Sequence, residues 1–453
     1  MGQREEATKK AIRLVKMMIA KVKLLQPVAT ETVGVTPVGL IIGGGIAGMT
    51  AALSLADQGF DVHLVEKEIE LGGLIRGLYY TQDGSDVQAF LRSRISDVMA
   101  HPRISVHTGA EVKNTEGFVG NFKTELTDGT SFDHGTIILT TGGVEYQPTE
   151  YLYNESDRVI TQHELEKKIF DGLQPAANES YIMIQCVGSR EEPNQYCSRI
   201  CCQDAVKNAI EIKERNPKAQ VAILYRDMRT YGLREDYYTK ARDLGVLFVR
   251  YDVDKKPLVE KLGDKLRVKT WDYMLNKEIS MDTDWVVLST GLRPHPTTEK
   301  VGAIYKVTRN PDGYFLEAHV KLRPVDFPSE GIFVAGLAHA PKNLDETIGQ
   351  ALAAAGRAGV VLSHERLAIS GLIAKQKREL CMSCLSCLRI CPFGSPFIDE
   401  DGKISHNEIK CHGCGLCAGI CPAKAFQING FSDEQMLAMV DVAADCEESG
   451  NIN

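Results

Sequence analysis

Two cysteine runs, "CMSCLSCLRICP" from Cys381 and "CHGCGLCAGICP" from Cys411, constrain this chain more than any other feature. Each reads C-x2-C-x2-C-x3-C-P, and the second starts 30 residues after the first. Two such runs in succession specify a module holding two [4Fe–4S] clusters, in which the fourth cysteine of each run ligates the other cluster. Cys381, Cys384, Cys387 and Cys421 are therefore one expected ligand set, and Cys411, Cys414, Cys417 and Cys391 the other. A structural zinc site has no use for the C-x3-C-P fourth ligand.

The remaining cysteines are read in the light of compartment. The first residues, "MGQREEATKK", carry no apolar core of a secretory signal, and no apolar run approaches the ~20 residues needed to span a bilayer. A cytoplasmic chain is expected, where thiols stay reduced, so 13 cysteines point to metal or redox chemistry rather than disulfides. Twelve of them fall into three compact groups; Cys446 stands apart in the acidic tail and is expected to be functionless. A net charge of −8 argues against a nucleic-acid partner, which clustered Lys and Arg would serve.

Residues 7–25 place Ala11, Leu14, Val15, Met18, Ile19 and Val22 at helical spacing, with a basic opposite face. The expectation is a helix packed on its own domain; docking on a partner or peripherally on a membrane is the alternative. From Val38 onward, short apolar strands alternate with helical segments, which implies open parallel sheets covered by helices on both faces. The expected fold is α/β, a two-dinucleotide-binding (thioredoxin-reductase-like) flavoprotein fold followed by a C-terminal α+β two-cluster bacterial ferredoxin domain. The expected boundaries are 1–37 for an N-terminal helix and linker, 38–150 with 283–370 for an FAD-binding domain, 151–282 for an inner Rossmann-like domain, and 371–453 for the ferredoxin domain and tail.

"GGGIAG" follows the first strand and opens a helix, and Glu66 closes the next strand. Gly43, Gly45 and Gly48 let backbone approach a pyrophosphate at a helix N-terminus, while Glu66 is placed for a ribose hydroxyl. Continuation into Gly73, together with Gly336 and Gln350 on a late strand and helix, favours FAD. The corresponding inner strand, "YIMIQCVGSREEPNQYCSR", has Gly188 but no second phosphate-cradling loop, so direct hydride uptake from NAD(P)H is not expected. Instead Cys186, Cys197, Cys201 and Cys202 occur there, as C-x10-C-x3-C-C, a spacing that fits neither a C-x-x-C zinc site nor a thioredoxin-type pair.

With these features together, the chain resembles the flavin-containing, A-type component of heterodisulfide reductases and its relatives. The shared stretches are "IIGGGIAGMTAALSLADQGFDVHLVEKE", "QCVGSRE", "YCSRICCQDAVKNA", "YRDMRTYG" and the ferredoxin runs, and the resemblance extends from about residue 11 to the end. It implies a third [4Fe–4S] cluster on Cys186, Cys197, Cys201 and Cys202 beside the flavin. It further implies that Lys207 approaches flavin N5, where a cation favours reduced anionic flavin, and that Glu164 matches a family acid that moves protons there.

Longer family members carry an N-terminal cluster-bearing domain and a ferredoxin domain inserted in the flavin domain; this sequence resembles a short form lacking both. The inserted domain is the expected exit for low-potential electrons, so its absence argues against bifurcation to ferredoxin within the chain. The implied activity is that of an oxidoreductase subunit from an anaerobe, relaying or bifurcating electrons between FAD and [4Fe–4S] clusters. Implied partners are B- and C-type heterodisulfide reductase subunits, an electron-donating hydrogenase or formate dehydrogenase, ferredoxin, and a second copy of the chain. The rival readings are an NAD(P)H-dependent oxidoreductase, a membrane quinone-linked subunit, and a scaffold with a vestigial flavin.

Overall fold

The computed structural model describes residues 4–27, 32–368 and 371–448, with side chains described as far as residue 444. The side chain of Cys446 lies outside the described residues. The chain forms two compact units, one of residues 36–363 and the other combining residues 1–35 with 364–453.

The larger unit is built on two five-stranded parallel sheets. In the first the order is Ile332–Val334, Thr136–Leu139, Val38–Ile42, Asp61–Glu66, Ile104–Thr108. Strands covered on both faces must be apolar throughout, and Thr136–Leu139 is fully buried, as are the last four residues of Val38–Ile42. From Val38–Ile42 the chain builds outward to one side and then returns to the other, so a crevice opens at the strands' C-terminal ends. The helix Ile46–Asp57 lies over that crevice, its Ala-rich buried face packed against Leu344–Leu362.

The inner sheet has the order Val159–Thr161, Trp285–Thr290, Ser180–Val187, Gln220–Tyr225, Leu247–Arg250. Trp285–Thr290 thus belongs to the inner half, and the chain returns to the flavin half after Thr290 rather than at the expected residue 283. The two crossings between halves pair with each other as an antiparallel ribbon, Gly143–Glu145 with Leu292–Pro294.

In the smaller unit two short hairpin-like pairs, Ala374–Gln376 with Phe426–Ile428 and Pro396–Ile398 with Ile404–His406, enclose the helices Ser386–Ile390 and Leu416–Ile420. The N-terminal helix is Arg4–Val22, and it packs along Asp433–Glu448. Lys21 is buried with its Nζ 3.3 Å from the Phe431 ring centroid, and Gln435 donates to the Leu24 carbonyl. The expected orientation of this helix is reversed: Leu14, Val15, Met18, Ile19 and Val22 are exposed, because the side packed in the unit carries Met17, Ala20 and Lys21. Among the described residues no helix is long and apolar enough to cross a membrane.

Candidate functional site

The glycine loop is fixed by sterics. Gly43 has φ of 110°, and a Cβ on Gly48 would stand 1.8 Å from the Gly43 carbonyl oxygen, so neither position admits another residue. Gly44 N–H donates to Glu66 Oε2 at 2.6 Å, and Glu68 N–H donates to Oε1 at 2.9 Å, which holds the carboxylate at the loop. From here a cleft of about 530 Å³ extends past Gly43, Gly45, Glu66 and Gly73 to His163, Ile200, Asp204, Lys342, Asn343 and Thr347.

The N-termini of Ile46–Asp57 and Leu344–Leu362 both border this cleft, giving it two ends of positive helix dipole suited to an anionic dinucleotide. Asn343 Nδ2 is shielded from solvent without a protein hydrogen-bond acceptor, a donor available to a ligand. Lys342 donates to the carbonyls of Gly336 at 2.6 Å and Ala340 at 2.9 Å, and burial lowers its pKa to about 7. This donor set fits FAD. Gly336 and Gln350 do not line the cleft; Gly336 N–H donates to Gln350 Oε1 at 3.0 Å, bracing the turn from which Leu337 reaches it.

The inner strand Ser180–Val187 runs to Cys186, which adopts φ of 63°. Cys201 and Cys202 open the helix Cys201–Arg215, whose next turn carries Asp204 into the cleft. Cys186, Cys201 and Cys202 are buried and Cys197 is half-buried. Burial pushes the Cys202 thiol up to about 12, and it raises Cys186 and Cys201 as well; proximity of the four sulfurs adds to the rise. Four clustered thiolates are thus unfavourable unless a cationic centre deprotonates and shares them. Arg199 N–H donates to Cys197 Sγ at 3.3 Å, and Arg190 Nη1 lies 4.0 Å from Cys186 Sγ. Among the described residues no three His, Cys, Asp or Glu side chains close on a single metal ion.

Lys207 is buried two turns along the same helix and does not line the cleft. Its Nζ donates to Glu166 Oε2 at 2.8 Å and to the Tyr80 carbonyl at 3.0 Å, with Asp204 at 3.8 Å. Glu164 instead caps its own helix, Gln162–Phe170, reaching back to Thr161 N–H at 2.7 Å and accepting from Tyr153. Glu166 is the acid that meets Lys207. Removing its charge by Glu166→Gln leaves the buried lysine with only the more distant Asp204 carboxyl, and a loss of about 3 kcal/mol in urea unfolding is expected, with most of it regained in the Glu166→Gln/Lys207→Met double variant.

In the smaller unit Cys381, Cys384, Cys387 and Cys421 line one small cavity, and Cys391, Cys411, Cys414 and Cys417 line the other. The fourth cysteine of each run is therefore delivered to the opposite set. Backbone donors reach the sulfurs, Ala374 N–H to Cys411 at 3.3 Å and Ala425 N–H to Cys421 at 3.2 Å, as suits thiolates that ligate a cluster. Cys384 and Cys414 are exposed.

Sequence reasoning missed Glu166, Lys342, Asn343 and the pair His163–Glu145; none sits in a recurring motif, and only spatial placement unites them, Lys342, Asn343 and His163 on one cleft, Glu145 against His163, and Glu166 on the buried lysine.

Comparison with known proteins agrees with this geometry. Residues 41–90 match the model of an NAD(P)-binding Rossmann-like domain, and residues 373–422 that of a 4Fe-4S dicluster domain. The chain is 33% identical to the A-type iron-sulfur subunit of the CoB–CoM heterodisulfide reductase of Methanocaldococcus jannaschii, over 97% of this chain and 82% of that one. It is also 33% identical to the A-type subunit of the H(2):CoB-CoM heterodisulfide,ferredoxin reductase of Methanothermobacter marburgensis, over 98% and 82%. Among solved structures, Lactococcus lactis thioredoxin reductase matches 72% of this chain and 97% of its own at a TM-score of 0.50 and 17% identity, which shows the fold alone. An iron–sulfur flavoprotein fold, four-cysteine sets in crossed pairs and relatives over nearly the whole length lead to one assignment: the chain belongs to the oxidoreductase family of A-type iron–sulfur subunits of heterodisulfide reductase.

Proposed function

We propose that this chain relays electrons between FAD in the cleft, a third [4Fe–4S] cluster held by Cys186, Cys197, Cys201 and Cys202, and the two ferredoxin-type clusters. The observation that carries the reading is that one helix start serves both sites: Cys201 and Cys202 belong to the quartet while Ile200 and Asp204 border the cleft. Bound FAD supplies exchange between two-electron and one-electron chemistry. The residues supply placement. Glu66 and the glycine loop hold the nucleotide end, Asn343 and the helix N-termini offer donors, and the buried thiols hold iron in an apolar setting.

In this reading the chain is the flavin subunit of a multi-subunit complex in the cytoplasm of an anaerobe. B- and C-type subunits perform disulfide reduction, and a hydrogenase or formate dehydrogenase supplies electrons. The homologues named for such complexes support this, as does the lack of a second phosphate-binding loop after Ser180–Val187. The test is anaerobic reduction of the reconstituted chain. NADH and NADPH are expected to leave the oxidised-flavin absorbance unchanged, while a one-electron donor such as reduced methyl viologen bleaches both flavin and clusters. Rapid bleaching by either nicotinamide overturns the reading in favour of a pyridine-nucleotide oxidoreductase.

A further inference from the structure

The loop between Cys186 and Cys197 doubles back on itself. Arg190 N–H donates to the Tyr196 carbonyl at 3.1 Å and Glu191 N–H to the Asn194 carbonyl at 3.1 Å, while Ser189 Oγ also donates to the Tyr196 carbonyl at 2.8 Å. This pairing brings the two cysteines to one place and puts Arg190, at φ of 62°, beside them. The arginine side chain then turns toward the quartet: its Nη1 lies 4.0 Å from Cys186 Sγ, and its Nη2 donates to Asp227 Oδ2. Asp227 follows the strand Gln220–Tyr225, and its carbonyl oxygen lies 3.6 Å from Cys202 Sγ. One residue thus anchors the guanidinium through its carboxylate and touches a second cysteine through its backbone. Only 17% of the Arg190 side chain is exposed, so water screens its charge weakly.

We propose that Arg190 is the cation that sets the potential of the cluster held by Cys186, Cys197, Cys201 and Cys202, raising it, and that Asp227 fixes the guanidinium in place. This rests on the reading that the quartet holds a [4Fe–4S] cluster. Such a cluster accepts one electron and no proton, so reduction adds one negative charge to an assembly that already carries four thiolates. A fixed positive charge in a poorly hydrated site favours that state, and an N–H aimed at a ligand sulfur acts in the same sense.

The surrounding charges agree in direction. Burial disfavours negative charge on Cys186 and Cys202, and Arg190 opposes it at both sulfurs. Arg226 acts on Cys186 as well, less strongly, and Asp204 acts in the opposite sense on Cys201. Arg190 is the one of these that also makes a directed contact with a cysteine sulfur.

The experiment is a potential titration of the full, anaerobically reconstituted chain followed by electron paramagnetic resonance, with dithionite supplying the electrons. The signal assigned to the third cluster is the one that Cys202→Ser removes. Iron is measured first: a wild-type chain with about 8 irons per FAD in place of about 12 refutes the functional reading itself. With about 12 present, Arg190→Gln is expected to lose about tenfold in preference for the reduced third cluster, a fall of about 59 mV for a one-electron couple. Arg190→Lys keeps the charge without the planar fork and should recover most of that fall. The two ferredoxin-type signals should hold their potentials. An unchanged third potential in Arg190→Gln, an equal fall in the lysine and glutamine variants, or an equal shift of all three signals overturns the proposal. Should Arg190→Gln fail to retain the third cluster, Asp227→Asn keeps the arginine and removes the acid that neutralises it: the third potential must then rise, and a fall or no change counts against Arg190.

Discussion

Replacing Cys202 by serine is expected to lower the iron content of the anaerobically reconstituted chain from about 12 to about 8 per FAD, the loss of one whole cubane at four irons each. The quantity follows from how the quartet is made. Cys201 and Cys202 are adjacent and both buried, Cys186 lies at the end of a fully buried strand, and burial raises all three of these thiols above their ordinary range, which disfavours the free thiolate. Such a site is stable with protons or with iron, and with three sulfurs in place of four it favours protons. The ferredoxin-type sets are separate in sequence, so their eight irons should survive. A value of about 8 in the wild-type chain as well would leave the quartet without a cluster and remove the central element of the proposed relay.

Gly48→Ala is expected to abolish FAD retention. The added methyl would lie 1.8 Å from the Gly43 carbonyl oxygen and 2.9 Å from Thr140 Oγ1, and that hydroxyl already donates to the Ile42 and Gly43 carbonyls. The obstacle is backbone at the phosphate loop, which cannot turn aside as a side chain can. Overpacking of this kind costs about 3 kcal/mol, and a similar loss of loop geometry weakens FAD by more than about a hundredfold. Flavin absorbance after desalting reads the outcome. Gly356→Ala is the control, since its Cβ meets nothing within 4 Å in an exposed part of the helix Leu344–Leu362; it should retain FAD and gain about 0.4–1 kcal/mol. Retention of FAD by Gly48→Ala would place the nucleotide elsewhere.

The glycine loop and the two ferredoxin-type cysteine sets were legible because each is set by short-range spacing, whereas the quartet of Cys186, Cys197, Cys201 and Cys202 was reached only through the family resemblance. Cysteines with two or three residues between them leave few ways to surround a cubane, and a glycine that faces a carbonyl at van der Waals distance has no substitute. The sequence is silent where geometry depends on helix phase or on pairing across the fold. Glu164 and Glu166 lie roughly 200° apart around their helix, and only the position of Lys207 in space decides which one meets it. His163 and Glu145 meet because a ribbon formed with residues 292–294 turns Glu145 toward the helix. Trp285–Thr290 reads as an apolar strand whichever sheet receives it, so the boundary could not be placed from pattern alone. The helix Arg4–Val22 was legible as a helix, but periodicity shows an apolar stripe without showing which side a neighbour covers.

The crossed cysteine sets also impose an order on biosynthesis. When Cys381–Cys391 has left the ribosome it offers three ligands to one cluster and a single ligand to another, and neither cubane can be closed until the second run follows, one at Cys417 and the other at Cys421. The helix Arg4–Val22 waits longer still, because the helix against which it packs, Asp433–Glu448, is made more than 400 residues after it. Iron insertion into this module is consequently a late event, acting on a nearly finished polypeptide. A chain interrupted before residue 417 would complete neither ferredoxin-type ligand set, which keeps truncated products from accepting electrons they have no route to pass on.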